Sequence, residues 1–208
     1  MTTLHAFTSD VAFTPTVKAI QTRKGSRHAY ARMEQGGSWA SAITPEIKAF
    51  IEGAISMYMA TASSTGQPYI QHRGGPVGFL KVLDPHTIAF VDFTGNRQFI
   101  SSGNLQDNPQ AHLFLMDYAN RQRIKIWGTA RVIEGDLALT EKLMPADYKA
   151  QAEQIIVFSV TAWDANCTKH IPVRYEAADV KRALDTRDAK ITQLQAEVAR
   201  LRALAAQA

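Results

Sequence analysis

Apolar residues change their spacing twice along this chain, and each change marks a new kind of element. Ile47, Phe50, Ile51 and Ile55 fall on one face of a 3.6-residue period. Thr44-Pro45-Glu46 ahead of them supplies a cap, a proline at the first helical position and an acid at the positive end. From Ser56 the pattern turns to short runs of strand formers: residues 56–62, 69–72, 79–83, 87–93, 111–118, 123–134 and 155–163. Ser63-Ser64-Thr65-Gly66 and Asp84-Pro85-His86 are turn chemistry between them. At least six antiparallel strands at such short spacing predict a barrel or sandwich. Within this region only Asn96 to Asp107 has helical spacing, and Asn108-Pro109 ends it.

The second change comes in the tail. Leu184, Ile191, Val198 and Ala205 occupy one heptad position, and Arg187, Leu194 and Leu201 the other. Ile and Val at the first with Leu at the second suit a parallel helix pair; Arg187 suits instead a helix packed on its own domain. Residues 13–35 mix Lys18, Arg23, Lys24, Arg27 and Arg32 with apolar residues, and Gly36-Gly37 breaks the segment. The expected organisation is a basic N-terminal arm (1–42), a β domain (43–175) and a C-terminal heptad helix (176–208).

Charge and cysteine content narrow the function classes. A net charge of +4 over 208 residues is too weak to indicate nucleic acid. The arm's cations are interrupted at helical spacing, which predicts a helix lying on the β domain. Cys167 is the single cysteine, so no internal disulfide can form, and Cys167-x-x-His170 is at most half a metal site. Neither a secretory leader nor a membrane-spanning run is legible, and a cytoplasmic protein is expected. No nucleophile triad, paired carboxylate or P-loop stands out, so no catalytic residue is assigned.

Three stretches invite a ligand. In Gln71-His72-Arg73-Gly74-Gly75-Pro76-Val77-Gly78 the glycines bring bare backbone close, and Arg73 offers a planar fork to a phosphate or carboxylate. A structural turn with a surface arginine explains it equally well. Strand 87–93 ends in Asp92-Phe93-Thr94-Gly95-Asn96-Arg97-Gln98, where a helix start would present free N–H groups. Arg97 in a first helical turn is poorly placed for the helix and better placed for a phosphate, while Asn96 can equally be the cap. In the third, alternation puts Arg121, Arg123, Lys125 and Trp127 on one face, lining either solvent or a cleft.

Met59-Ala60-Thr61-Ala62, Thr65-Gly66-Gln67-Pro68-Tyr69, Gly95-Asn96-Arg97, Asp107-Asn108-Pro109 and Ile126-Trp127-Gly128-Thr129-Ala130 follow the order seen in pyridoxamine phosphate oxidase-like flavoproteins. Over roughly residues 50 to 135 the chain resembles that family, and its oxidase-related, FMN-binding branch in particular. The resemblance implies a mainly β fold, a six-stranded antiparallel split barrel with flanking helices. It also implies a homodimer with FMN at the interface, and a small-molecule substrate or electron donor. By position, His72, Arg73, Gly74 and Gly75, then Asn96, Arg97 and Gln98, would hold the phosphate. Val91, Asp92 and Phe93 would approach the ring, with Asn104 closing the stretch and Arg123 stabilising negative charge on the reduced ring. Gln98 stands where the family often has lysine, and Arg73 is the replacement cation. The Arg-x-His pair of true oxidases is absent from Cys167 to Arg174, so pyridoxamine phosphate is not carried over as substrate. Two other readings stay open. One is a flavin-storing or partner-binding module without turnover. The other is a haem-binding split barrel with His72, His112 or His170 as ligand.

Overall fold

A computed structural model describes residues 6–165 and 168–207, so Cys167 lies outside the described residues. One compact unit comprises Met1–Asp117 and Gln122–Lys169, and a second comprises Tyr118–Arg121 and His170–Ala208. In the first, helices α1 (Pro15–Arg23), α2 (Arg27–Gln35) and α3 (Pro45–Gly53) precede the strands. Thr44 caps α3 as its sequence requires, accepting from Ile47 N at 3.4 Å, and Ile51 is fully buried.

Seven strands follow: β1 (Ser56–Ala62), β2 (Pro68–Gly74), β3 (Leu80–Asp84), β4 (Thr87–Phe93), β5 (Gln110–Asp117), β6 (Gln122–Ile133) and β7 (Ala152–Ala165). All ladders are antiparallel, in the order β2-β1-β5-β6-β7-β4-β3. The architecture is therefore a mainly β antiparallel sheet with flanking helices, as expected. It has seven strands where the resemblance implied six, and its hydrogen-bonded order is linear rather than a closed ring.

Alternation builds the core. Met57 and Met59 of β1, Leu113 and Leu115 of β5, and Ile124 and Ile126 of β6 point to one interior. Strand β4 is buried on both faces. Ile88 and Phe90 join that interior, while Ala89 and Val91 pack on Ile155, Val157 and Leu143 of helix α5 (Leu137–Leu143). The sequence reading did not contain α5.

The N-terminal segment is docked by aromatics. Trp39 stacks on Trp127 of β6 at 4.6 Å, and Phe13 packs on Trp39 at 5.0 Å. Two of its cations are paired within the segment, Lys18 with Asp10 at 2.6 Å and Arg27 with buried Glu34. His112 lies edge-on beneath Trp127 at 4.8 Å. Burial first, and then the Lys125 ammonium, push its imidazolium from the ordinary 6.5 down to about 4. A depressed folded value means stability that is intact above about 6.5 and lost as pH falls through about 4. Over that window the loss is roughly 2–3 kcal/mol. His112→Gln is expected to flatten this acid limb of the stability–pH profile in urea melts; an unchanged limb would contradict the burial of a neutral ring.

In the second unit helix α6 (Ala177–Ala205) runs 29 residues with none buried, and Arg174 lies over the Tyr118 ring at 4.8 Å. No described helix is long and apolar enough to cross a membrane.

Candidate functional site

The two sides of the sheet order meet through side chains. Strands β2 and β4 share no ladder, yet Arg73 Nη1 on β2 pairs with Asp92 Oδ1 on β4 at 2.7 Å. Gln154, opposite Asp92 in the β4–β7 register, donates from Nε2 to Asp92 Oδ2 at 2.8 Å and to Ser102 Oγ at 2.7 Å. Ser101 Oγ donates to Gln71 Oε1 at 3.1 Å, and Gln71 is two residues from Arg73 on the same side of β2. The result is a polar circuit, Arg73–Asp92–Gln154–Ser102–Ser101–Gln71, joining β2, β4 and β7 through the first turn of helix α4 (Ile100–Asp107). Asp92, Ser101 and Gln154 are buried, so each depends on these partners.

A cleft opens over this circuit. Its lining combines Gln71, Arg73, Asp92, Ser101, Ser102 and Gln154 with Phe93, Glu153 and the turn Gly95 to Ile100. That turn is tightly specified. Arg97 and Phe99 both adopt left-handed backbone, at φ 56° and 52°, which costs a non-glycine residue about 1–2 kcal/mol. Asn96 Oδ1 accepts from Gln98 N at 3.1 Å, and Thr94 Oγ1 donates to Glu153 Oε2 at 3.1 Å. Arg97 Nη2 reaches Glu153 Oε1 at 3.3 Å and stays mostly exposed.

Helix α4 starts at Ile100, four residues later than the spacing suggested, because Asn96 spends its side chain on an Asx turn. Asn96 is therefore not the cap. Phe99 holds the cap position and its side chain makes no capping bond, so the helix presents its positive end to the cleft without a side-chain acceptor. Arg97 precedes the helix instead of sitting in its first turn. Nε of Arg73 is buried and has no hydrogen-bond partner, so the Asp92 pair leaves donor capacity unused. Desolvation by burial holds the Asp92 carboxyl above the usual carboxylate value, against the pull of Arg73 and Gln154.

Of the residues singled out in the sequence, Arg73, Asp92, Phe93, Asn96, Arg97 and Gln98 line one cleft. The others stand elsewhere. His72 points to the opposite side of β2 and meets Tyr58 edge-on at 5.7 Å. A side chain at Gly75 would place Cβ 2.6 Å from Phe79 Cβ, so close packing alone requires that glycine. At Gly74 a Cβ would crowd the Ile55 carbonyl oxygen at 3.3 Å. Val91 is buried against α5, and Asn104 ties α4 to β1 by donating to Thr61 Oγ1 at 3.0 Å. Arg123 is half-buried on β6 opposite Met116, outside the lining of the cleft. Arg121 falls in the turn before β6, at φ 53°, so the expected row of cations reduces to Arg123 and Lys125. Lys125 in turn pairs with Asp164 at 2.6 Å. Sequence reasoning missed Ser101, Ser102, Glu153 and Gln154. The only signal for the last two was a polar pair opening an otherwise apolar strand. Among the described residues no cluster of three or more His, Cys, Asp or Glu could hold a metal ion.

No curated protein matches the sequence. Among solved structures, HupZ of Group A Streptococcus is 20% identical with a TM-score of 0.45, over 59% of this chain and 93% of that one. An FMN-binding protein of Syntrophomonas wolfei is 12% identical with a TM-score of 0.45, over 73% and 97%. HutZ, a heme storage protein of Vibrio cholerae, is 17% identical with a TM-score of 0.42, over 57% and 90%. The family model described as pyridoxamine 5'-phosphate oxidase matches residues 43–167, which takes in the strands β1 to β7 and the residues lining the cleft. The chain belongs to the pyridoxamine 5'-phosphate oxidase family.

Proposed function

We propose that the protein is a homodimeric FMN-binding oxidoreductase acting on an unidentified small molecule, with the FMN phosphate held in the cleft between β2, β4 and α4. The observation that carries this reading is the convergence of two guanidinium groups on a helix N-terminus that no side chain caps. Exposed Arg97 would donate to the outer phosphate oxygens, and the α4 N–H groups to the inner ones. Arg73, with unused donor capacity, backs them from below. Asp92 and Glu153 offset the formal charge of the two arginines, so directed donors rather than net charge would hold the anion. Phe93, edge-on to Tyr148 at 5.0 Å, and Phe99 of the turn are the aromatic residues lining the cleft and available to the ring. When bound, the flavin supplies the electron transfer itself, and no protein side chain is assigned as acid or base.

The test is FMN titration by flavin fluorescence on wild type and Arg97→Ala. The Arg97–Glu153 pair is exposed and contributes less than about 1 kcal/mol to folding, so Tm stays nearly unchanged. FMN affinity is expected to fall about 10- to 100-fold, the loss of one charge-assisted phosphate contact. Wild-type affinity in this variant would remove Arg97 from the site. Bleaching of the bound flavin by NADH or NADPH, with reoxidation in air, separates an oxidoreductase from a flavin store.

A further inference from the structure

Helix α6 carries an apolar stripe that its own unit leaves uncovered. Val180, Leu184, Ile191, Leu194, Val198 and Leu201 are each 44–51% exposed, and no residue of the helix is buried. A helix of this length gains most of its stability from packing an apolar face, and here the ion pairs along it are intrahelical: Lys181–Asp185, Arg182–Asp179 and Arg200–Glu197. The stripe advances in alternating steps of four and three residues from Val180 to Ala205, broken only by Arg187. This 3.5-residue period matches a second helix that supercoils with it, and it is self-complementary.

We propose that α6 pairs with the α6 of a second copy of this chain as a parallel, in-register, two-stranded coiled coil. The β-branched residues Ile191 and Val198 take one core position, and Leu194 and Leu201 the other, the combination that favours two parallel strands. The flanks agree. In this register Glu197 of each helix faces Arg202 of the other, and no like charges meet along the flanking rows. Reversing one helix sets Lys181 against Arg202. Arg187, at a core position, lies beside Asp188 of the opposite helix, which offsets the cost of bringing two guanidiniums together. This contact rests on α6 alone and does not depend on the flavin reading.

Disulfide trapping in the full chain tests it. With Cys167→Ser as background, Val198→Cys places a thiol in the core seam and Ala196→Cys places one on the far side of the helix. A disulfide needs Cα atoms about 4.4–6.8 Å apart, a separation that equivalent residues reach only at the seam of a parallel, in-register pair. Under a mild oxidant, Val198→Cys is expected to cross-link about tenfold or more faster than Ala196→Cys, the effective-concentration advantage of thiols held face to face. Ile191→Asp added to Val198→Cys brings the rate down to that of the control. Equal rates at the two positions overturn the proposal. So does rapid cross-linking of Val198→Cys chains to Arg187→Cys chains, which marks an antiparallel pair. FMN affinity of the same variants is read separately, and its loss in the Cys167→Ser background bears on the flavin site alone.

Discussion

Arg73→Ala is expected to lower the unfolding free energy by about 3–5 kcal/mol at neutral pH, the cost of leaving a buried partner charge without its counterion. Both members of the pair are nearly inaccessible, with side chains 14% and 8% exposed, and Gln154 alone would remain to satisfy Asp92. The pH dependence identifies the cause. Burial already raises the Asp92 carboxyl above its usual 3.8, and Arg73 is the main force pulling it back. Without the arginine the folded value climbs further. A raised folded value means that the penalty is present at neutral pH and is relieved as pH falls through that value and Asp92 takes a proton. The gap between wild type and variant in urea melts should therefore narrow on acidification. The His112 contribution is common to both and cancels in the difference. Arg73→Ala with Asp92→Asn should recover most of the loss, since a neutral amide leaves no charge stranded. A gap under about 1 kcal/mol, or one that does not change with pH, would mean that the pair does not bind the two strands together.

Gly128→Ala is expected to cost about 3 kcal/mol or more, at the upper end for added core volume, because what it strikes is backbone. The β6–β7 register shifts between Trp127 and Gly128, and there β7 lies directly against the Gly128 Cα. A Cβ at this position would overlap the Ser159 carbonyl oxygen and stand 2.7 Å from Phe158 Cε1 in the core. The carbonyl cannot yield without disturbing the longest ladder of the sheet, and the Phe158 ring is fully buried in the core. Gly103 provides the control. It lies within α4 and a Cβ there meets nothing within 4 Å, so Gly103→Ala should be neutral or stabilise by about 0.5–1 kcal/mol. The comparison is made by denaturant midpoints at constant m value. Equal effects at the two glycines would contradict the close approach of β7 to Gly128.

The strands were legible because their signal is local. Runs 56–62 and 87–93 match β1 and β4 residue for residue, and the Thr44-Pro45-Glu46 start and helical stripe led directly to α3. Helix α5 was missed because seven residues carry too little periodicity, although Asp136 caps it by accepting from Leu139 N at 2.9 Å. At the site, Arg73, Asp92 and Arg97 were found through backbone cues around them: paired glycines, a strand end and a turn. Ser101, Ser102, Glu153 and Gln154 were not, because their roles depend on register. Gln154 matters only because it stands opposite Asp92, and the 62-residue separation between them leaves no mark in either neighbourhood. Asn96 failed as a cap for a related reason. An asparagine can turn toward either of two nearby N–H groups, and the left-handed residues after it decided which.

Where β2 meets β4, the sheet is stitched by side chains and not by a ladder. A backbone ladder holds with almost any sequence, whereas this stitch exists only for as long as particular residues are present. The mouth of the cleft can therefore be retailored by exchanging a few side chains, with all seven strands left in place. Change at this seam has to come in matched pairs, since removing one partner strands the other, and mutational scans should find compensating double substitutions at Arg73 and Asp92 where the ladders tolerate single ones.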